Sequence, residues 1–206
     1  MSNTVKYYLA AYNLTALFFW ALFIVRFFSS GLNLDAGLPL LNIAQGLAVL
    51  EIFHAILKWV KSPIGSTIAQ VASRLLVVFV VDAHMCDISL TQSIGVYSYN
   101  ASLSMAIGIL IVSLAWSITE MIRFSFYFLS LFNLQPRWLL WMRYTFFIAL
   151  YPLGVTGEWL IFISPIIAVG FAFNFYTAFV VLLFVAYAYY FPVLYKYMWK
   201  QRKLKL

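Results

Sequence analysis

The stretch YTFFIALYPLGVTGEWLIFIS, Tyr144–Ser164, is almost unbroken in its apolar character, yet it carries a tyrosine, a Pro-Gly pair and a carboxylate in its middle. Its length matches the roughly 20 residues that an α-helix needs to cross about 30 Å of hydrocarbon. Five further runs of the same kind are read outward from it, at Tyr8–Phe28, Leu38–Leu57, Ile64–Val81, Ala101–Ile122 and Phe171–Leu194. Of the 206 residues, 65% are hydrophobic, 20% aromatic and only 9% charged, with a mean hydropathy of +0.95. Soluble domains carry about 25% charged residues, so a soluble globular protein is excluded. In lipid the backbone must satisfy its own N–H and C=O groups, and these runs are too long and too little alternating for barrel strands. The expected fold is all-α: a polytopic membrane protein, a bundle of about six transmembrane helices.

Two segments leave counts of five and seven open. Apolar character continues through WLIFISPIIAVGFAFNF, and FSFYFLSLF either lies in the interface or lengthens the fourth span. No Ser/Gly linker, charge block or internal repeat divides the chain, which reads as one domain over residues 1–206.

Positive charge sets the orientation, because Lys and Arg collect on the cytoplasmic side. Lys6 precedes the first span, and Lys58 and Lys61 lie between the second and third. Arg123, Arg137 and Arg143 lie between the fourth and fifth, and Lys196, Lys200, Arg202, Lys203 and Lys205 follow the sixth. The alternate connections, Ser29–Gly37, Asp82–Asn100 and Pro165–Gly170, hold no Lys or Arg. Both termini are therefore expected in the cytoplasm. The net charge of +7 then belongs at a membrane surface, toward anionic lipid headgroups or anionic substrates, and no nucleic-acid partner is expected. The first span is long and lacks a small-residue cleavage site, so it reads as a signal anchor. The single cysteine, Cys86, forms no internal disulfide. The sequon at Asn100 falls in an outer connection, whereas that at Asn13 lies within a span.

Ionisable groups cost roughly 2.5 to 3.5 kcal/mol at the centre of a membrane helix, so each one inside a span is a candidate for function or for a packing ion pair. Glu51, His54, Arg74 and Glu158 lie at hydrocarbon depth, with Glu120 near an end. LEIFH sets Glu51 and His54 one turn apart on a helix, as in di-iron bundles. Two histidines and six acidic residues in the whole chain are too few for that chemistry, and structural pairing is the better account. DAHMCD, with Asp82, His84, Cys86 and Asp87, has metal-like composition but reads as a loop without a spaced second half, so no metal is expected. Gln70 and Arg74, at i and i+4, share a helix face flanked by Ser66 and Ser73. Glu120 and Arg123 are one turn apart, and Arg123 is near enough to the boundary to snorkel. Arg74 is too deep for that and calls for an acidic partner or an anionic substrate.

Tyr151 and Glu158 are seven residues apart, hence on one face of a helix and about 10.5 Å apart along its axis. Pro152 and Gly154 allow a kink or broken turn between them, and Arg143 anchors the cytoplasmic end. A carboxylate so deep is either paired or carries its proton, and a carboxyl poised between the two states suits proton transfer; the plain alternative is a Tyr–Glu packing hydrogen bond.

The segments LEIFHAILKWVKSP, AQVASRLLVV, LAWSITEMIR, WMRYTFFIALYPLGVTGE and MWKQRK together resemble the very-long-chain (3R)-3-hydroxyacyl-CoA dehydratases of the endoplasmic reticulum, also called protein-tyrosine-phosphatase-like. The resemblance runs from about Tyr12 to about Lys203 in order and spacing, and rests most on Ser117-x-Thr119-Glu120-x-x-Arg123 and Tyr151-Pro152-x-Gly154-x-x-x-Glu158. It implies removal of water from a very-long-chain 3-hydroxyacyl-CoA, the third step of fatty-acid elongation, at an endoplasmic reticulum membrane beside elongase and reductase enzymes and without a cofactor. It also implies that Tyr151 and Glu158 are catalytic; the polar residues read above, Gln70, Ser73, Arg74, Glu120, Arg123 and Arg143, are then candidates for substrate binding or support. Leu153 stands where the family usually has threonine, and AYYFPVLY lacks the usual glycine before its proline. Phosphatase chemistry is not expected, since a cysteine phosphatase needs arginine six residues after its thiolate and Gln92 stands there.

Dehydration requires one group to take the α-proton and another to protonate the departing hydroxyl. Forming tyrosinate at neutral pH costs roughly 4 kcal/mol without a nearby cation, which favours Glu158 as base and Tyr151 as donor; Arg74 or Arg143 beside the phenol would reverse the roles. The acyl chain would lie among the helices and the CoA head near Lys58, Lys61, Arg137 and Arg143. Two other classes stay open: a proton-coupled carrier, which usually shows paired broken helices, and a scaffold for other lipid enzymes.

Overall fold

A computed structural model describes residues 2–91, 99–169 and 174–206. Gln92, and Phe171 at the expected start of the sixth span, lie outside the described residues. Among those described there are seven helices: α1 Asn3–Ser29, α2 Leu34–Ile56, α3 Ile64–Thr91, α4 Tyr99–Leu131, α5 Arg137–Thr145, α6 Phe147–Val169 and α7 Phe175–Lys205. Six are long and apolar enough to cross a membrane, all except the nine-residue α5.

The boundaries differ from the sequence expectations where helix formation outruns hydrophobicity. FSFYFLSLF lengthens α4 rather than lying apart from it. DAHMCD is not a loop: no Gly or Pro interrupts the chain between Val81 and Thr91, and α3 runs on through it. Asn100 falls in the first turn of α4. Pro165 does not end α6, because a proline removes one backbone donor without forbidding the next turn.

Several helix ends are fixed by local chemistry. The Ser2 hydroxyl accepts from the Val5 N–H at 3.3 Å, and the Asn174 side chain accepts from the Thr177 N–H at 2.8 Å. Lys58 (φ 55°) and Asn133 (φ 57°) adopt the left-handed conformation that closes a helix. The Trp59 N–H then reaches back to the His54 carbonyl at 2.9 Å, and the Leu134 N–H to that of Leu129 at 3.0 Å.

The described chain forms two compact units, residues 1–79 with 116–140 and residues 80–115 with 141–206. In the first, α1 packs along α2, burying Trp20, Phe23 and Phe27. In the second, α6 packs along α7, and α4 crosses α6 where two glycines meet. A Cβ on Gly108 would lie 2.8 Å from the Gly157 carbonyl oxygen, and one on Gly157 would lie 2.8 Å from Val112 Cγ2. This close approach sets the position of the residue after Gly157, which is Glu158.

Gly108→Ala and Gly157→Ala should each destabilise the protein by about 1–3 kcal/mol through overpacking. Gly46→Ala, with nothing within 4 Å of its added methyl, should be neutral or stabilising by up to about 1 kcal/mol. Thermal unfolding in detergent checks the contrast.

Candidate active site

Helices α6 and α7 run antiparallel, so each step toward the C-terminus of one is met by a step toward the N-terminus of the other. Phe147 meets Trp199, Tyr151 meets Phe191 and Tyr195, Glu158 meets Tyr187, and Tyr176 reaches Phe162. The Tyr151 ring lies parallel to Phe191 (centroids 5.0 Å apart, 6° between planes) and to Tyr195 (6.2 Å, 9°).

The proline beside Tyr151 explains part of this wall. Pro152 has no N–H, so the carbonyl four residues back, at Ile148, loses its helical donor. That oxygen instead accepts from the Tyr195 hydroxyl at 3.2 Å. The sequence allows a break at Pro152 and Gly154, but α6 is helical from Phe147 to Val169. Tyr151 and Glu158 therefore keep their helical separation, and no hydrogen bond joins them among the described residues. Both face α7.

Glu158 is 8% exposed, and its Oε2 accepts from the Tyr187 hydroxyl at 2.6 Å. The Tyr187 ring is met edge-on by Trp159 at 5.4 Å, and Trp159 packs in turn against Phe184 at 5.2 Å. Neither Tyr187 nor Tyr195 was singled out from the sequence. The signal was there: Tyr187, Phe191, Tyr195 and Trp199 recur every fourth residue, one ridge of a helix, but they merge into a strongly aromatic background.

Glu51, His54, Arg74, Glu120 and Arg123 assemble in the first unit. Arg74 of α3 pairs with Glu120 of α4, which is fully buried. Arg123 donates from Nε and Nη2 to Glu120 Oε2 at 2.9 and 2.5 Å, and from both terminal nitrogens to Glu51 of α2 at 2.5 Å. The Tyr12 hydroxyl of α1 donates to the Leu47 carbonyl at 3.0 Å and lies 3.4 Å from Glu51 Oε1. His54 stands edge-on to the Tyr12 ring at 4.7 Å, with Nε2 3.1 Å from the Tyr8 hydroxyl. Arg74 thus has the acidic partner its depth requires, and Arg123 bridges two carboxylates instead of snorkelling. Gln70 is exposed and takes no place in the cluster, while the Ser73 hydroxyl donates to the Gln70 carbonyl at 3.0 Å. Arg143, at the end of α5, is half-buried beside Tyr144.

The two sets of groups suit different tasks. Two guanidiniums and two carboxylates balance, so the first cluster carries no net charge. Glu158, by contrast, accepts a hydrogen bond from a phenol. Among the described residues, no three of His, Cys, Asp and Glu gather as a metal set.

A family model described as protein tyrosine phosphatase-like protein, PTPLA, matches residues 45–206. A very-long-chain (3R)-3-hydroxyacyl-CoA dehydratase of Caenorhabditis elegans, hpo-8, is 37% identical over 75% of this chain and 68% of its own. Dehydratase 2 of Mus musculus is 35% identical over 79% of this chain and 63% of its own. Dehydratase PASTICCINO 2 of Arabidopsis thaliana is 37% identical over 81% of this chain and 75% of its own. The chain thus spans 63% to 75% of the length of these three relatives. No solved structure matches it.

Glu120→Gln should destabilise the protein by about 3–5 kcal/mol, because it removes the carboxylate that Arg74 pairs with and leaves Arg123 with Glu51 alone. Unfolding of the purified variant in detergent measures this. A loss under about 1 kcal/mol would be that of a solvated pair.

Proposed function

Because the chain belongs to the protein tyrosine phosphatase-like family, we propose that it dehydrates a very-long-chain (3R)-3-hydroxyacyl-CoA to the trans-2-enoyl-CoA, as a single membrane dehydratase domain over residues 1–206. The observation that carries this function is the placing of Tyr151 and Glu158 on one face of α6, both against the same wall of α7. The relatives bear dehydratase names, and this pair supplies the donor and acceptor that dehydration needs.

Glu158 takes the proton from the carbon next to the thioester, and the electron pair released forms the new double bond as the β-carbon–oxygen bond breaks. The Tyr151 hydroxyl protonates the departing oxygen, so that water leaves instead of hydroxide. Tyr151 is then a tyrosinate and Glu158 a neutral acid, and a proton passed from one to the other restores both. No external oxidant, reductant or metal enters the balance. The substrate lies lengthwise along α6, its reacting carbons between the Tyr151 and Glu158 levels. The acyl chain takes the place of lipid, and the polyanionic head is drawn toward cations beyond Tyr151. Arg143 precedes Tyr151 by eight residues, on the short helix α5 that leads into α6.

The same reading puts both termini in the cytoplasm, the protein in the endoplasmic reticulum membrane, and elongase and reductase enzymes at its side. Among the described residues six helices are fit to span a membrane, an even number consistent with both termini on one side.

Tyr151→Phe and Glu158→Gln should each lower enoyl-CoA formation at least about 100-fold, the scale of a lost general acid or base. The assay is absorbance of the conjugated thioester formed from a defined 3-hydroxyacyl-CoA by purified protein; undiminished turnover in either variant rejects the pair. Arg143→Gln should raise KM with little change in kcat, and the gap should close as salt is added. A KM equal to the parent's at low salt would place the CoA head elsewhere.

A further inference from the structure

We propose that Tyr187 is a positioning residue for the reaction, acting through Glu158. This rests on the role given to Glu158 above. A glutamate side chain has several staggered conformers, and a general base must present one of them to the substrate. In this fold the choice is made from the neighbouring helix: the Tyr187 hydroxyl donates to Glu158 Oε2 at 2.6 Å, within the range of a charge-assisted O–H···O bond. The donor is itself fixed. Trp159 meets the Tyr187 ring edge-on at 5.4 Å, and that indole is packed between Phe162 at 6.0 Å and Phe184 at 5.2 Å. Trp159 follows Glu158 directly in the chain, so α6 supplies both the carboxylate and the indole that steadies its hydrogen-bond donor. Phe191, one turn along α7 from Tyr187, stacks on Tyr151. One ridge of α7 therefore aligns both members of the pair, Tyr151 through a ring face and Glu158 through a hydroxyl.

The test is Tyr187→Phe, which keeps the ring and removes the donor. Its kcat should fall about 10- to 100-fold, the worth of a hydrogen bond to a charged group, with KM within about threefold of the parent. Tyr187→His, which returns an N–H donor to the same wall, should recover kcat at least about threefold over Tyr187→Phe. Glu158→Gln is measured alongside. If it abolishes turnover while Tyr187→Phe keeps the parent's kcat, the positioning role is overturned and the dehydratase pair stands. If Glu158→Gln keeps full turnover, the assignment of Glu158 falls and the role of Tyr187 with it. A Tyr187→Phe protein that cannot be recovered folded, or a Tyr187→His variant as slow as Tyr187→Phe, makes the residue structural and overturns the proposal.

Discussion

Hydrocarbon cannot solvate a bare charge, and the first unit is organised around meeting that constraint. Glu51, Arg123, Glu120 and Arg74 form one chain of alternating sign across α2, α4 and α3. Each member would be strongly unfavourable alone, and each is satisfied only if the other helices hold their register. The bidentate contact of Arg123 with Glu51 adds direction, since a planar guanidinium accepts a carboxylate from few approaches. Apolar packing between membrane helices is poorly specific, because lipid tails compete for the same surfaces. A charge chain is specific because its members have no adequate partner in lipid.

Glu158 meets the same constraint differently. A guanidinium partner would hold its charge permanently and oppose the arrival of a proton. The Tyr187 phenol donates to its Oε2, meeting part of the need of the carboxylate with a neutral group. The carboxylates of this chain thus differ in the partners they are seen with: arginine for Glu51 and Glu120, a tyrosine hydroxyl for Glu158. Depth in the membrane alone does not make the distinction, since all three lie in membrane-length helices.

Much of the fold was legible because length and hydropathy are one-dimensional properties. The six runs coincide with the six long helices, and the spacing of Glu120 and Arg123 announced their contact. Boundaries were less legible. Asp82–Thr91 and Pro165–Val169 are polar or proline-bearing enough to suggest loops, but a helix needs only its hydrogen bonds, not apolar side chains, to continue. Partners across helices were the least legible. Depth called for an acidic partner or an anionic substrate for Arg74, but that the partner is Glu120, 46 positions away, depends on which faces meet; Gln70, on the same face by spacing, is exposed. Tyr187 was hidden for a related reason: among 14 tyrosines and 20 phenylalanines, periodicity marks a face without naming the residue on it that carries a hydrogen bond.

Pro152 shows how a local defect can be turned to use. In an all-apolar helix, a proline strands a carbonyl that lipid cannot satisfy. Here the stranded oxygen of Ile148 is answered by the Tyr195 hydroxyl, which must come to within 3.2 Å and so draws α7 against α6 at that level. With its hydroxyl engaged, the Tyr195 ring lies parallel to Phe191 at 5.6 Å and to Tyr151 at 6.2 Å. The proline adjoining the proposed proton donor thereby orders the aromatic wall behind it. A helix with full hydrogen bonding would leave Tyr195 no acceptor on Ile148 and no reason to hold that angle. A Pro-Gly motif read as a break is better understood, in this chain, as a vacancy in the backbone ladder that a neighbouring side chain fills.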